Sequence, residues 1–490
     1  LKGANAAALY GSEGVNGVIV ISTKKGERGK GVITFSNTTG FSTVYMLPPA
    51  QTQFGQGVDG VYNPTQYQSW GPAFDGSLKP FGPVLPDGTQ HMVLYAAPDK
   101  DVREEMFQTG ISVQNNLSLS GGDNLSSYFV SVQDVLINGI IPEDESRRTG
   151  LRFNGSRQFG KLTSAYSINY SLTRNNTTPD GPWVTMYQMP ANFPIELMKD
   201  WQNPNSIANP HNFFTDQHRN PYFQIDNVRN ELTQQLINAK LEFDFVFTPW
   251  FSAKWRGGLY STVDETRNTT GKFEAVGRRN VAGSVTDGSS NFRRLNSDLI
   301  FSFNKVVGQW KNRLILGNNL RDDYTKSINV GSNNLLLPGL FNPGSRTGEL
   351  TGNASISQYR QSAVYGEFST AWNNIWFVNV TGRNEWVSVL STENRSYFYP
   401  GVSTSFVFSE AFSSLTEFTS LSFGKLYLSY NKTGNVNLAP YALNNAYSQS
   451  NGFPYGNLVG FTPSSTYPNP DIEPEFVTSW EIGTQMSFFN

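Results

Sequence analysis

Apolar and polar residues alternate along this chain in repeated segments, each of about ten residues. Between Ile237 and Phe247 the odd-numbered positions are apolar, whereas the even-numbered ones include Lys240, Glu242 and Asp244. A two-residue period places these two kinds of side chain on opposite faces of a β-strand, and about ten residues let a tilted strand cross a bilayer. The same period recurs at residues 111–120, 162–172, 299–303, 376–380, 402–408, 426–430 and 476–488.

The connections between these segments distinguish a membrane barrel from a soluble β-sandwich, whose strands alternate in the same way. Short turns are predicted at residues 121–126, 159–161, 248–251, 306–310 and 372–374. Between them lie long connections at about 42–109, 176–228, 266–290, 325–355 and 434–474. Outer-membrane barrels have short periplasmic turns and long extracellular loops, so this order favours a barrel.

Aromatic residues collect beside the predicted short turns, where a water-soluble sandwich would leave them exposed without a reason. They are Phe159, Trp250, Phe251, Trp310, Trp372 and Trp376. Aromatic side chains form girdles at the membrane interfaces of outer-membrane barrels. The sequence therefore predicts an all-β fold, an antiparallel transmembrane β-barrel.

The number of crossings indicates how much of a barrel this sequence contains. Counting from Gly31 predicts about fourteen strands, the first at 31–41 and the last at 475–488. An open edge in hydrocarbon would leave unpaired backbone groups, at several kcal/mol each. Since barrels with a plugged lumen have about 22 strands, we expect about eight further strands outside this sequence.

The first 26 residues follow a different pattern, with a run of alanines, regularly placed glycines and the apolar β-branched run Val18–Ile21. The glycines are Gly3, Gly11, Gly14 and Gly17. Glycine permits backbone angles closed to other residues, and the apolar run suits a strand covered on both faces. We expect the partner strands of this run to lie upstream of residue 1.

Leu1–Gly26 resembles the end of the plug domain in SusC-like TonB-dependent outer-membrane transporters, although Glu13, Gly14 and Val15 stand where that family usually has Arg-Ala-Ala. Further segments resemble the barrel of the same family, in the same order. They are 69–72 with 75–76, 107–110 with 117–122, 382–386, 393–400, 406–412, 425–435, and 469–475 with 479–483. The resemblance implies two parts: residues 1–26 as the end of the plug, and residues 27–490 as a partial barrel with long extracellular loops.

Composition and charge exclude several other classes of protein. No run of about 18 apolar residues exists, so no helix is predicted to span a bilayer. The formal net charge of −2 gives no electrostatic reason to expect nucleic-acid binding. The chain has no cysteine, which excludes disulfides, thiol catalysis and cysteine metal sites.

Motifs for catalysis, cofactors and metals give no site. Gly55–Gly60 fits the dinucleotide pattern GxGxxG, but it follows no buried strand, so a glycine-rich loop is the better interpretation. Among the three histidines, His211 and His218 share a loop with Asp216, while His91 stands apart; the spacing fits no specific metal site. The patterns HExxH, GxSxG and GxxxxGK with Ser or Thr are absent. We therefore expect neither an enzyme nor a bound cofactor or metal.

Aromatic residues in the predicted loops are candidate contacts for a sugar ring or a peptide side chain. They are Tyr67, Trp70, Trp183, Tyr187, Trp201, Phe213, Phe214 and Tyr222. Packing of the loops against each other is the alternative explanation, and it is favoured for any single residue. These aromatics do not separate an oligosaccharide cargo from an oligopeptide cargo.

The resemblance implies an importer in the outer membrane of Gram-negative bacteria of the Bacteroidetes type, surrounded by outer-membrane lipid. A SusD-like surface lipoprotein would cover the barrel as a lid, TonB would act through a segment upstream of residue 1, and two such pairs would form a dimer. The cargo would be an oligosaccharide or an oligopeptide. A structural or interaction subunit of a larger outer-membrane complex is the alternative function, and a passive porin is a weaker one because the plug motif indicates a closed lumen.

Overall fold

The computed structural model describes residues 11, 14, 19, 26, 29–275, 279–412, 421–449 and 460–489. Within these ranges fourteen strands form one sheet in which each strand pairs antiparallel with the next along the chain. The strands are β1 (Gly29–Ser42), β2 (Gly110–Gly122), β3 (Ser126–Asn138), β4 (Glu145–Phe159), β5 (Leu162–Thr177), β6 (Val228–Thr248), β7 (Phe251–Thr270), β8 (Ser284–Val307), β9 (Trp310–Ser332), β10 (Thr351–Trp372), β11 (Trp376–Val387), β12 (Ser396–Phe406), β13 (Leu421–Asn435) and β14 (Glu475–Phe488). The predicted all-β antiparallel fold and its strand count are confirmed.

Two-residue turns join several of these strands at the places that the pattern predicts. Gly160, between β4 and β5, has a φ of 57°, and Gly308, between β8 and β9, has a φ of 59°. A positive φ at the first central residue is what a type II′ hairpin turn requires, and glycine adopts it without strain. Asn373 and Asn374 supply positive φ between β10 and β11, as asparagine tolerates better than most residues.

Two of the predicted long connections are shorter in the structure. β7 continues to Thr270 and β8 begins at Ser284, so the connection predicted at 266–290 spans only 271–283. The connection predicted at 325–355 spans 333–350. The strand ends carry polar residues on both faces, for example Arg267, which contacts Asp287 on the neighbouring strand at 2.8 Å. Backbone pairing therefore extends beyond the alternating segment from which the boundaries were predicted.

The two faces of the sheet carry different side chains, apolar ones on the outer face and polar ones on the inner face, as expected for a sheet with lipid outside and water inside. Apolar side chains such as Leu241 and Leu299 point outward and are 38% exposed. Near the short turns the outward aromatics stack in a ladder, in which the Phe251 ring lies 4.7 Å from Phe303 and 4.8 Å from Phe247. Phe251 and Trp250, whose rings lie 6.0 Å apart, are the two residues of the predicted girdle in this ladder, and the girdle as a whole stays a prediction.

Residues 43–109 and 178–227 fold together over one end of the sheet, and we call them the loop cap. They contain short hairpins at 57–62 and 78–94 and the helices α1 (Gly181–Gln188) and α2 (Pro221–Asn227). Each helix has a proline in its first turn, and the Asn220 side chain accepts a hydrogen bond from the Tyr222 N–H at the start of α2. No helix within the described ranges is long and apolar enough to cross a membrane.

The loop cap has a hydrophobic core of its own, supplied by both of its segments. Its buried members include Phe81, Met106, Met186, Phe193 and Met198. Burying a large apolar side chain contributes about 1.5–3 kcal/mol, so such a core is enough to order these long connections. The cap is therefore a folded unit on the sheet and not a set of independent loops.

Candidate transport lumen and loop cap

Charged side chains line the inward face of β6 to β9 in matching register. Glu242 on β6 lies opposite Arg256 on β7, which in turn lies opposite Asp298 on β8. Arg294 on β8 lies opposite Asp323 on β9. We call these groups, together with Asp244, Lys254 and Arg321 on the same faces, the charge ladder.

Ion pairs connect the members of the charge ladder across the strands. Lys254 Nζ lies 3.0 Å from Asp244 and 3.4 Å from Glu242. Arg294 Nε lies 2.8 Å from Asp323, and Arg321 Nη2 lies 2.6 Å from the same carboxylate. Most of these side chains are partly exposed, and pairs of that kind contribute about 0–1 kcal/mol each. The ladder therefore matters more for the electric field inside the sheet than for stability.

A cavity of about 800 Å³ lies against the charge ladder. Seven cationic residues line it, among them Arg256, Arg294 and Arg313, and only two acids do, Asp244 and Asp298. Binding sites for small molecules have volumes of roughly 300–1,000 Å³, so the cavity has room for a few units of an oligomer.

The turn at Gly11 and Gly14 is seated on a buried ion pair of the sheet. Arg383 Nε donates to Glu385 Oε1 at 2.6 Å, with side-chain exposures of 2% and 0%, and the Tyr397 hydroxyl donates to Glu385 Oε2 at 2.7 Å. Gly11 has a φ of 86°, and a Cβ there would lie 2.8 Å from Glu385 Oε1. Only glycine fits this approach, which accounts for one glycine of the predicted plug motif.

The Gly14 N–H donates to the Gly11 carbonyl at 2.9 Å, so both glycines belong to one turn. Gly3 and Gly17 lie outside the described residues, as do the alanine run and all of Val18–Ile21 except Ile19. The expected path of the plug strand therefore stays a prediction.

Three of the eight candidate aromatics are core residues of the loop cap. Phe213 and Phe214 are 1% and 0% exposed, and Tyr222 is 8% exposed. Burial raises the pKa of Tyr222 to about 12, and its hydroxyl donates to the Glu105 carbonyl at 3.3 Å. Their burial leaves no surface for a ligand, so packing explains these three and we do not retain them as cargo contacts.

Three further candidates pack against the same core. Tyr67, Trp183 and Trp201 are partly buried beside it, and Trp201 Nε1 donates to Asp226 at 2.6 Å. The remaining two, Trp70 and Tyr187, are 72% and 52% exposed. They are the candidates whose rings are open to a ligand.

Tyr187 lines a second cavity, of about 340 Å³, between the two segments of the loop cap. Arg103 also lines it, is 5% exposed and pairs with Asp101, and its side-chain hydrogen bond holds the pKa of that carboxyl below its usual range. Sequence reasoning missed Arg103, and its position in the charged run 99–105 is the one local signal that pointed to it.

The histidines are dispersed over the loop cap. The His211 ring packs 5.1 Å from Phe273, and the His218 ring packs 4.4 Å from Tyr67. Burial lowers the pKa of His91 and of His218. In the part of the chain that the structure describes, no three histidine or acidic side chains come together in a way that could hold a metal.

Comparison with known families and sequences gives consistent matches. Residues 152–490 match the family model described as TonB dependent receptor-like, beta-barrel. The TonB-dependent receptor SusC of Bacteroides thetaiotaomicron is 23% identical over 542 aligned positions, covering 100% of this chain and 48% of SusC. The TonB-dependent receptor P26 of Formosa agariphila is also 23% identical, over 100% of this chain and 48% of its own length. The chain thus spans about half the length of these relatives.

Solved structures show the same architecture. The RagAB peptide importer in its 'open-open' state superposes with a TM-score of 0.76 at 17% identity, over 100% of this chain and 56% of the matched one. Its 'closed-closed' state gives a TM-score of 0.74, also at 17% identity and with the same coverage. At this identity the likeness shows the fold, a SusC/RagA-type β-barrel.

Proposed function

Because the chain belongs to the TonB-dependent receptor-like β-barrel family, we propose that it forms part of an active importer of nutrient oligomers in the outer membrane of a Gram-negative bacterium of the Bacteroidetes type. In this proposal residues 1–26 end a plug domain and residues 27–490 form part of the barrel around it. The relatives are TonB-dependent receptors and not enzymes, and no catalytic role is proposed for any residue.

The observation that carries this proposal is the seat of Gly11 on Arg383 and Glu385. A wholly buried ion pair on the inward face of a barrel strand needs a cover, and the Gly11 turn supplies it. A segment held inside the lumen favours a gated transporter over a passive pore. Gating of this kind needs an energy input, which supports coupling to TonB through the upstream part of the plug.

Partners and cargo follow from the relatives by analogy. The name of the RagAB importer states that it imports peptides, and the resemblance to SusC-like proteins implies a SusD-like lipoprotein. We propose a SusD-like lipoprotein over the loop cap, a dimer of such pairs, and an oligopeptide or oligosaccharide as cargo. The cap, as a folded platform with its own core, is the surface that such a lid requires.

Trp70 and Tyr187 are the proposed aromatic contacts for the cargo. Both rings are exposed on the loop cap, and Tyr187 lies beside the cavity that also contains Arg103. A flat aromatic face stacks on a sugar ring or holds an apolar peptide side chain. Arg103 is already paired with Asp101, so its expected role is to hold this cavity in shape.

Uptake by cells tests the proposal. The intact protein and its lipoprotein partner are expressed in cells with and without TonB, and uptake of labelled oligosaccharides and oligopeptides is measured. We expect uptake of one class, lost without TonB and reduced about tenfold in a Trp70→Ala, Tyr187→Ala double variant, as loss of about two ring contacts predicts. Tyr45→Ala, an exposed tyrosine that does not line the cavity, is the matched control.

Uptake that continues without TonB would overturn active import. Assembly into a stable outer-membrane complex without uptake of any bound ligand would favour the alternative, a structural or interaction subunit.

A further inference from the structure

The wall of the lumen cavity is richer in cations than the chain as a whole. The chain has 37 Lys and Arg against 39 Asp and Glu, whereas the cavity is lined by seven cations and two acids. Five of these cations pair with three acids that are not among the lining residues, namely Glu242, Asp323 and Glu385. The cavity therefore faces cations whose counter-charges lie behind them.

Those acids do not neutralise the wall. Among the described residues, five acids stand against the seven cations, the two that line the cavity and the three behind it, so a formal excess of two positive charges remains there. Arg313 contributes to this excess, because it forms no ion pair with any residue that the structure describes.

The guanidinium donors of Arg256 are only weakly engaged by its protein partner. Its Nη2 lies 3.5 Å from Asp298, a long contact for an ion pair, and the side chain is 39% exposed. An acceptor arriving in the cavity can therefore reach guanidinium donors that Asp298 engages only weakly, and a charge-assisted hydrogen bond favours it. Arginine presents its donors in a planar fork that matches a carboxylate.

We propose that this cavity binds carboxylate groups of the cargo at Arg256 and Arg313, and that the protein therefore selects acidic oligomers. The inference rests on the proposed import function and deepens it by naming the chemical class of the cargo. The carboxylates belong either to uronic acid units of an oligosaccharide or to acidic side chains of a peptide. The low-dielectric wall strengthens the attraction relative to water, and the excess charge draws an anion toward the lumen.

Matched ligand pairs test this selection. The intact protein is purified in detergent and titrated with tetragalacturonic acid and its methyl ester, and with a glutamate-containing pentapeptide and its glutamine counterpart. We expect one acidic ligand to bind about tenfold more tightly than its neutral counterpart at low ionic strength, the value for one charge-assisted hydrogen bond. The advantage shrinks as salt rises, and the pair that shows it identifies the source of the carboxylate.

Substitutions of the two cavity arginines test whether they cause the preference for acidic ligands. In an Arg256→Gln, Arg313→Gln double variant the acid-to-neutral ratio falls by about fivefold, while binding of the neutral ligand is unchanged and shows that the barrel is folded. Arg147→Gln is the matched control, because Arg147 pairs with Asp134 and does not line the cavity. It keeps the ratio of the native protein.

Equal affinity for acidic and neutral ligands in the native protein would overturn the inference, and so would a ratio that survives in the double variant. TonB-dependent uptake of neutral oligomers with no preference for acidic ones would leave the import function standing and remove only this inference. Absence of TonB-dependent uptake for every oligomer would instead overturn the proposed function.

Discussion

Arg229, at the start of β6, joins three separate segments at the base of the loop cap. Its Nε donates to Asn176 Oδ1 at 2.8 Å, and its Nη1 donates to Thr178 Oγ1 at 2.6 Å and to Asp144 Oδ1 at 3.2 Å. Its Nη2 donates to the Glu143 carbonyl at 2.6 Å. The side chain is only 12% exposed, so water does not replace these partners easily.

Replacing Arg229 by methionine keeps most of the apolar stem and removes every donor. Breaking a buried ion pair by deleting one partner costs about 3–5 kcal/mol. Since Asp144 keeps hydrogen bonds from the N–H and hydroxyl of Thr178, the lower end of that range applies, about 3 kcal/mol. This loss makes opening of the loop cap about 100-fold more frequent.

Hydrogen exchange followed by mass spectrometry measures this opening directly, since amides of the cap exchange when it separates from the rim. Arg229→Met is expected to speed exchange in residues 178–227 by about 100-fold, and to leave the amides of β8 and β9 unchanged. Arg229→Lys keeps the charge but has only three donors, and is expected to fall between. Arg147→Met is the control, because its pair with Asp134 is exposed and worth less than about 1 kcal/mol. Equal exchange in Arg229→Met and Arg147→Met would refute the role of Arg229 as a clamp.

Two further predictions concern the plug turn and the pH dependence of the cap. Gly11→Ala is expected to weaken binding of the turn to the sheet by about 2–4 kcal/mol, because alanine is strained at this positive φ and its Cβ would clash with Glu385. The measurement is protease cleavage before residue 29, which should begin at a lower urea concentration in the variant. Gly308→Ala is the control, because Gly308 also has a positive φ but an added Cβ would meet nothing within 4 Å. An equal shift of the urea concentration in both variants would contradict the contact between Gly11 and Glu385. Burial lowers the pKa of His218 against Tyr67, so the opened cap binds a proton more readily than the closed one. This contribution to cap stability is therefore full above about pH 6.5 and falls as pH drops through that value toward the lower folded pKa. Protection of residues 178–227, corrected for the intrinsic exchange rate at each pH, should fall at pH 5.5 relative to pH 7.5. His218→Gln should reduce this difference, and the part that remains is expected from His91, whose pKa is lowered by burial in the same cap.

The strands were predictable from the sequence because lipid on one side and water on the other select alternating residues within each strand. The same signal fails where both faces are wet. At Arg267 and Asp287 the pairing continues by backbone hydrogen bonds and an ion pair, without an apolar face to reveal it. The predicted end of β7 is therefore too early in the chain, and the predicted start of β8 is too late.

The candidate site was only partly predictable. Polar residues such as Lys240 and Glu242 already indicated a polar lumen, but the contact of Arg294 with Asp323 depends on the register between β8 and β9, which no local pattern encodes. The burial of the loop aromatics was harder still to predict. Phe213 and Phe214 look like exposed binding residues in sequence because their partners, such as Phe81, come from the other segment of the loop cap.

The strand order of the sheet, in which each strand pairs only with its neighbours along the chain, also sets how the protein folds. β6 and β7, and likewise β8 and β9, close across two-residue turns, and residues 271–283 separate β7 from β8, so this block gathers at little entropic cost and is expected to form early. Longer connections separate other neighbours: β1 meets β2 only after residues 43–109 are gathered, β5 meets β6 only after residues 178–227 are, and β13 meets β14 only after residues 436–474 are. The first two of these connections form the loop cap. Loop closure grows costlier with length, so the core of the loop cap stabilises these two late pairings and acts as the brace that completes the sheet.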